Sequence, residues 1–168
     1  MTNLNSFFCC FLIILLLGCN SNKKKYFDAV VTGHPQATQI GIQVLENGGN
    51  AIDASIAVQL ALSVCLPSAG NIGGGGFMIC RMNSGKAYAL DFREKAPKKA
   101  TRNMYLDKDG NIVDSLSTYG HLSIGVPGTI DGIFEAHKKL GSMSMDSLFN
   151  YAITLAKRGF PITQKQAK

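Results

Sequence analysis

The residues of this chain best suited to chemistry lie in two short stretches. One is Asn71-Ile72-Gly73-Gly74-Gly75-Gly76-Phe77-Met78 and the other, one hairpin's length later, is Leu90-Asp91-Phe92-Arg93-Glu94-Lys95-Ala96-Pro97. Four consecutive glycines strip every Cβ from a stretch of main chain, so its N–H groups can come close to an anion and can take positive φ without steric cost. Arg93 adds a planar fork of donors that matches a carboxylate with two parallel hydrogen bonds. Together, Gly73, Gly74, Gly75, Gly76 and Arg93 suggest a pocket for an anionic small molecule. Each feature also has a plain alternative. The glycine run can serve as a tight turn that lets a strand or helix approach, and Arg93 can pair with Asp91 or Glu94 at a strand end, where an exposed ion pair contributes little. The run is not a nucleotide-binding P-loop, because no Gly-Lys-Ser/Thr follows it and the next segment reads as a strand; nor does it fit a dinucleotide fingerprint. Gly125-Val126-Pro127-Gly128-Thr129 reads on its own as a strand-to-helix turn. No spacing in the chain marks a nucleophile with its base.

The elements that must position these stretches flank them on both sides. Ala29-Val30-Val31-Thr32 predicts a short strand ended by Gly33, and Pro35 then suits the first turn of a helix to about Glu46, with Ile40, Val44 and Leu45 on its apolar face. Asn47-Gly48-Gly49 supplies the stop, and Asn50 with Asp53 predicts the capped start of a second helix over Ala51–Val64. That helix is apolar nearly all round, with only Asp53, Ser55, Gln59 and Ser63 as polar side chains, so it belongs between layers rather than on the surface. Phe77–Met82 and Lys86–Phe92 read as a β-hairpin turning at Asn83-Ser84-Gly85. Alternation puts Tyr88, Leu90 and Phe92 on one side and Ala89, Asp91 and Arg93 on the other, so Arg93 points away from the aliphatic stack. Residues 96–120 read as loop, with a turn at Asp107-Lys108-Asp109-Gly110. A helix to Leu140 opens at Pro127-Gly128-Thr129, with Ile130, Phe134 and His137 along one side, and Gly141 ends it. Met145–Arg158 forms a further amphipathic helix closed by Gly159 and Pro161, and no element is expected beyond it.

A length of 168 residues and 46% hydrophobic content allow one ordinary domain with a real core. The net charge of +6 raises nucleic acid as a partner, but the 17 Lys and Arg are scattered. Lys23-Lys24-Lys25 is their densest cluster and no basic stripe interleaves with aromatics, which argues against that partner. His34, His121 and His137 are far apart and read as surface or capping residues; no Cys–His spacing suggests zinc, and no metal or other cofactor is expected. The first 22 residues carry no charge, and Phe7–Leu17 is an apolar run of eleven residues, too short to span a bilayer but of the length of a secretory-signal core. With Gly18-Cys19 directly after it, the segment resembles a bacterial lipobox, in which Cys19 becomes the lipid-modified first residue of the mature chain. A conventionally cleaved signal and a buried N-terminal helix are the other readings. The lipobox reading divides the chain into a signal segment over residues 1–19, a polar tether over 20–27 and a folded portion over 28–168. It places the protein at the cell envelope, on the periplasmic or outer face of a bacterial membrane, held there by a lipid anchor. Cys65 and Cys80 then remain in the body; a bridge can join them in an oxidising compartment, while their apolar neighbours suit small core residues.

Gly48-Gly49-Asn50-Ala51-Ile52-Asp53-Ala54, Gly70 to Met78, Asp91 to Pro97 and Val126-Pro127-Gly128-Thr129 stand in an order that resembles the successive motifs of the gamma-glutamyltranspeptidase (glutathione hydrolase) family. The resemblance covers nearly everything from Ala29 to Phe160. It implies an α+β fold, part of the αββα four-layer sandwich of the N-terminal-nucleophile hydrolases. It also implies an enzyme that cleaves gamma-glutamyl amides such as glutathione. In that family a precursor cleaves itself, the new N-terminal threonine of the small subunit attacks the gamma-glutamyl carbonyl, and water or an acceptor amine releases the glutamyl group from the acyl-enzyme. The family's carboxylate-binding arginine matches Arg93, with Gly73, Gly74, Gly75 and Gly76 as nearby scaffold.

One departure from the family pattern carries weight. The catalytic threonine belongs to a Thr-Thr-His-like sequence well downstream, and none of the threonines here, from Thr2 to Thr163, has that context. The chain therefore matches only the beginning of the large subunit, and no catalytic residue is assigned within it. Its expected partners are the remainder of the large subunit and the small subunit, and it is expected to be inactive alone. A non-catalytic lipid-anchored binding fragment or pseudoenzyme, and a related acylase acting on another amide, are the alternatives.

Overall fold

The computed structural model describes residues 28–167; the segments read from the sequence as a signal and a polar tether, with Cys19, lie outside the described residues. Helix α1 covers Pro35–Glu46, with Pro35 in its first turn. The His34 ring Nδ1 accepts the Gln36 N–H at 3.2 Å, so of the surface and capping roles read from the sequence this histidine takes the cap. The strand expected over Ala29–Thr32 does not form. A strand exists by pairing, and among the described residues no second strand lies beside this one, leaving Val31 94% exposed. Thr32 instead donates its hydroxyl to the His34 carbonyl at 2.9 Å, bracing the entry to α1.

Helix α2, Ala51–Cys65, starts with the predicted capping box: the Asn50 side chain accepts from Ile52 and Asp53 N–H, and Asp53 Oδ2 accepts the Asn50 N–H at 2.9 Å. It is the central element and touches helices on several sides. Ile52, Ile56, Ala57, Leu60, Ala61 and Cys65 are all buried, each large aliphatic contributing roughly 1.5–3 kcal/mol of burial. The alanines and Gly41 of α1 let the two helices come close; a Cβ at Gly41 would lie 2.9 Å from Val58 Cγ2. Cys65 and Cys80 are free thiols, and burial pushes the Cys65 pKa up.

Strands β1, Phe77–Arg81, and β2, Ala87–Asp91, form an antiparallel hairpin with Phe77 opposite Asp91 and Arg81 opposite Ala87. Gly85 takes φ +85 at the turn, the conformation that requires glycine there. Met78, Cys80 and Leu90 pack onto the helical core, whereas Phe77 and Ile79 on the outer face are 64% and 84% exposed. The predicted alternation of faces therefore holds. The Asp107 turn also forms, its Oδ1 accepting the N–H groups of Asp109 and Asn111.

Helix α3, Thr129–Leu140, and helix α4, Met145–Arg158, complete the helical layer against α2. The predicted side of α3 is rotated from the observed one: Thr129, Gly132, Ile133 and Ala136 are buried, while Phe134 is 49% exposed and leans on Phe149. The cause is at the start of the helix, where Gly132 must face the Phe92 ring. A short helix α5, Gln164–Ala167, follows where none was expected, and the Gln166 side chain donates to the Cys65 carbonyl at 2.8 Å.

The loop between α3 and α4 is fastened to α2 by Asp53, which is fully buried. Its carboxylate accepts the N–H of Ser142 at 3.0 Å, the N–H of Met143 at 3.3 Å and the Ser142 hydroxyl. Burial alone would raise its pKa, but these donors and the Asn50 N–H hold it below the usual carboxylate range. A residue that the sequence marks as a helix cap is thus also the knot between distant segments.

Candidate functional site

The glycine run lies beneath Phe92-Arg93-Glu94. Phe92 and Gly76 exchange both backbone hydrogen bonds, N–H to carbonyl at 3.0 and 3.4 Å, extending the hairpin by one pair. Lys95 and Val126 do the same at 3.1 and 2.8 Å, so Arg93 sits between two backbone anchors. None of Gly73, Gly74, Gly75 and Gly76 takes positive φ. The missing side chains matter for closeness instead. A Cβ at Gly75 would stand 2.7 Å from the Phe92 carbonyl oxygen and the Glu94 N–H nitrogen, and one at Gly76 would stand 2.8 Å from the Phe92 ring. Gly73 differs from these, because among the described residues no atom beyond its own chain neighbours lies within 4 Å of its Cβ position.

Two further glycines press on the same segment from the other side. A Cβ at Gly128 would meet the Phe92 carbonyl oxygen at 2.1 Å, and one at Gly132 would meet the Phe92 ring at 2.2 Å. Gly74 joins the two sides, since its carbonyl accepts the N–H groups of Gly128 at 2.8 Å and Thr129 at 3.1 Å. These contacts are invisible in the sequence, where Gly128 and Gly132 look like a turn and an indifferent helical position. The pairing of Asn71 with Thr129 through a 2.6 Å hydrogen bond was equally hidden by a sequence separation of 58.

Arg93 points to the outer face of the hairpin and its side chain is 66% exposed. Both neighbours considered from the sequence engage it. Asp91 Oδ1 accepts the Arg93 backbone N–H at 3.0 Å, and Glu94 Oε2 accepts from the guanidinium Nε at 3.2 Å. The guanidinium also stands 5.9 Å from the centroid of the Phe77 ring. The Glu94 carboxyl is held below its usual range, first by its own N–H; desolvation opposes this next, and the Arg93 guanidinium and the Gly75 N–H add to the lowering. With Nε on Glu94, the two terminal nitrogens have no hydrogen-bond partner among the described residues. That end of the fork suits an external carboxylate. A 260 Å³ cleft lined by Ser55, Gln59, Phe77, Met78, Phe92 and Gly132 lies between the hairpin, α2 and α3, and Arg93 is not among its lining residues. Among the described residues no group of three or more His, Cys, Asp or Glu could hold a metal ion.

The gamma-glutamyltranspeptidase family profile matches residues 37–168. The chain is 53% identical over 135 residues to the glutathione hydrolase proenzyme of Pseudomonas sp. (strain A14), an alignment covering 80% of this chain and 24% of that protein. Against the glutathione hydrolase proenzyme of Pseudomonas aeruginosa the identity is 46% over 138 residues, covering 82% of this chain and 25% of the other. The chain thus spans about a quarter of the length of these curated relatives. Its fold superposes on the crystal structure of Helicobacter pylori gamma-glutamyltranspeptidase with a TM-score of 0.80 and 51% identity, covering 86% of this chain and 42% of that one. The motifs, the fold and the profile agree, and the chain belongs to the gamma-glutamyltranspeptidase family.

Proposed function

We propose that this chain forms the opening part of the large subunit of a gamma-glutamyltransferase/glutathione hydrolase, and that Arg93 binds the α-carboxylate of the gamma-glutamyl donor. The observation that carries this reading is the exposed guanidinium with its Nε held by Glu94 at 3.2 Å and its terminal nitrogens turned outward. Held at that point, the fork loses less freedom on binding a carboxylate than a freely rotating side chain would. Gly73, in the loop that leads into β1, has open space at its Cβ position and leaves room for close approach of a ligand.

In the reaction proposed, a threonine hydroxyl from the small subunit attacks the gamma-glutamyl carbonyl carbon. The amide C–N bond breaks, the amine leaves with the hydroxyl's proton, and water or an acceptor amine then takes the glutamyl group from the ester. The residues described here hold the donor but do not supply that nucleophile, so the 168-residue chain alone does not turn over substrate. The remainder of the large subunit and the small subunit complete the site and the four-layer sandwich. The apolar outer face of the hairpin, with Phe77 and Ile79 exposed, supports stacking by a second sheet. Cys19 anchors the protein by lipid to the bacterial envelope.

The test uses the whole proenzyme and gamma-glutamyl p-nitroanilide. Arg93→Ala is expected to raise KM roughly 10- to 100-fold, the range of a charged hydrogen-bond pair, with a small effect on a gamma-aminobutyryl anilide that lacks the α-carboxylate. Equal losses on both donors would overturn the assignment of Arg93. Release of nitroaniline by the purified 168-residue chain would overturn the claim that the reacting half lies elsewhere.

A further inference from the structure

We propose that Asn71 and Thr129 are positioning residues for Arg93: their clasp joins the glycine loop to the start of α3 and sets how the Phe92–Glu94 segment presents the guanidinium. This rests on the reading of Arg93 as the carboxylate anchor. Asn71 Oδ1 accepts two hydrogen bonds, from the Thr129 hydroxyl at 2.6 Å and from the Gly74 N–H at 2.9 Å. Thr129 is fully buried, so its hydroxyl has no water to replace Asn71. The Gly74 carbonyl returns the connection by accepting the Gly128 and Thr129 N–H groups. Loop and helix are thereby closed on each other like two jaws.

The segment between the jaws is the one that carries the arginine. Gly75 and Gly76 touch Phe92 and Glu94 from the loop side, and Gly128 and Gly132 touch Phe92 from the helix side. Gly128 also reaches the Arg93 peptide, its Cβ position lying 3.2 Å from the Arg93 carbonyl oxygen. Beyond these backbone contacts the guanidinium is steadied by Glu94, and the Glu94 carboxylate is itself seated beside Gly75. Releasing the clasp therefore moves both supports of Arg93 together. A two-point carboxylate grip is sensitive to such movement, because misplacement by about 1 Å takes one of its two hydrogen bonds out of range.

The experiment compares Thr129→Val, Thr129→Ser and Asn71→Ala with Arg93→Ala in the whole proenzyme. Each is assayed on gamma-glutamyl p-nitroanilide and on the gamma-aminobutyryl anilide, with a thermal melt of every variant. Thr129→Val and Asn71→Ala are expected to raise KM for the first donor roughly tenfold with kcat within about twofold, and to leave the second donor unchanged. Thr129→Ser keeps the hydroxyl and should restore the wild-type KM. Should Thr129→Val not accumulate as folded protein, Asn71→Ala carries the same comparison, since Asn71 is only partly buried. Equal KM increases on both donors, or a Thr129→Val enzyme with wild-type KM, would overturn the positioning role. If Arg93→Ala distinguishes the donors while the clasp variants do not, only this proposal falls; if Arg93→Ala fails to distinguish them, the carboxylate assignment falls with it.

Discussion

Asp53 and Glu94 are both carboxylates held below their ordinary pKa by hydrogen bonds, and they do opposite work. Asp53 is fully buried and spends every lone pair on the protein itself, on Asn50, Ser142 and Met143. Glu94 stands at the rim, its side chain 38% exposed, on an arginine that is more exposed still. Around Asp53 the donors have nothing left for a ligand; around Glu94 the guanidinium keeps its outer edge. The same chemistry therefore serves architecture where water is excluded and recognition where it is not.

The strongest way to break this contrast is Asp53→Ala, which removes the buried acceptor of the Ser142 and Met143 N–H groups. A loss of about 3 kcal/mol is expected, read as a lower urea midpoint. The acid side of the stability curve sharpens the same point. Because the folded pKa of Asp53 is depressed, its contribution is complete above the unfolded value of about 3.9 and disappears as pH falls through the folded value. Acid unfolding below about pH 4 should therefore be shallower in Asp53→Asn than in the wild type. A smaller but diagnostic effect is expected at the jaws: Gly128→Ala forces a methyl onto the Phe92 carbonyl and should cost about 2 kcal/mol by chemical denaturation. The smallest effects belong to the rim. Arg93→Ala and Gly73→Ala should each change stability by no more than about 0.5 kcal/mol, and a larger loss at either would show that the rim is structural after all.

Much of the local structure was legible. Pro35, the Asn50–Asp53 box, Gly85 and Gly159 mark element boundaries through backbone conformation and short-range hydrogen bonds, and these depend on neighbours in the chain. The strand expected over Ala29–Thr32 failed because pairing depends on a distant partner, which composition does not report. The buried face of α3 was misread for a related reason. Ile130, Phe134 and His137 form a plausible apolar stripe, but the clamp on Gly128 and Thr129 turns the helix until Gly132 meets Phe92. Arg93 was found as a site candidate from its own chemistry; Asn71 and Thr129 were not, since neither residue type is unusual at its place in the sequence.

By itself the sequence determined helices α1 to α4, the hairpin, the outward direction of Arg93 and the order of motifs that marks the family, because caps, turns and alternation act over a few residues. Only the tertiary structure decided what the glycines are for. Three of the four in the run make room for protein and one faces open space, a distinction that arises when Phe92 is pressed between a loop and a helix more than fifty residues apart. No local rule separates identical residues in a row; their neighbours in space do.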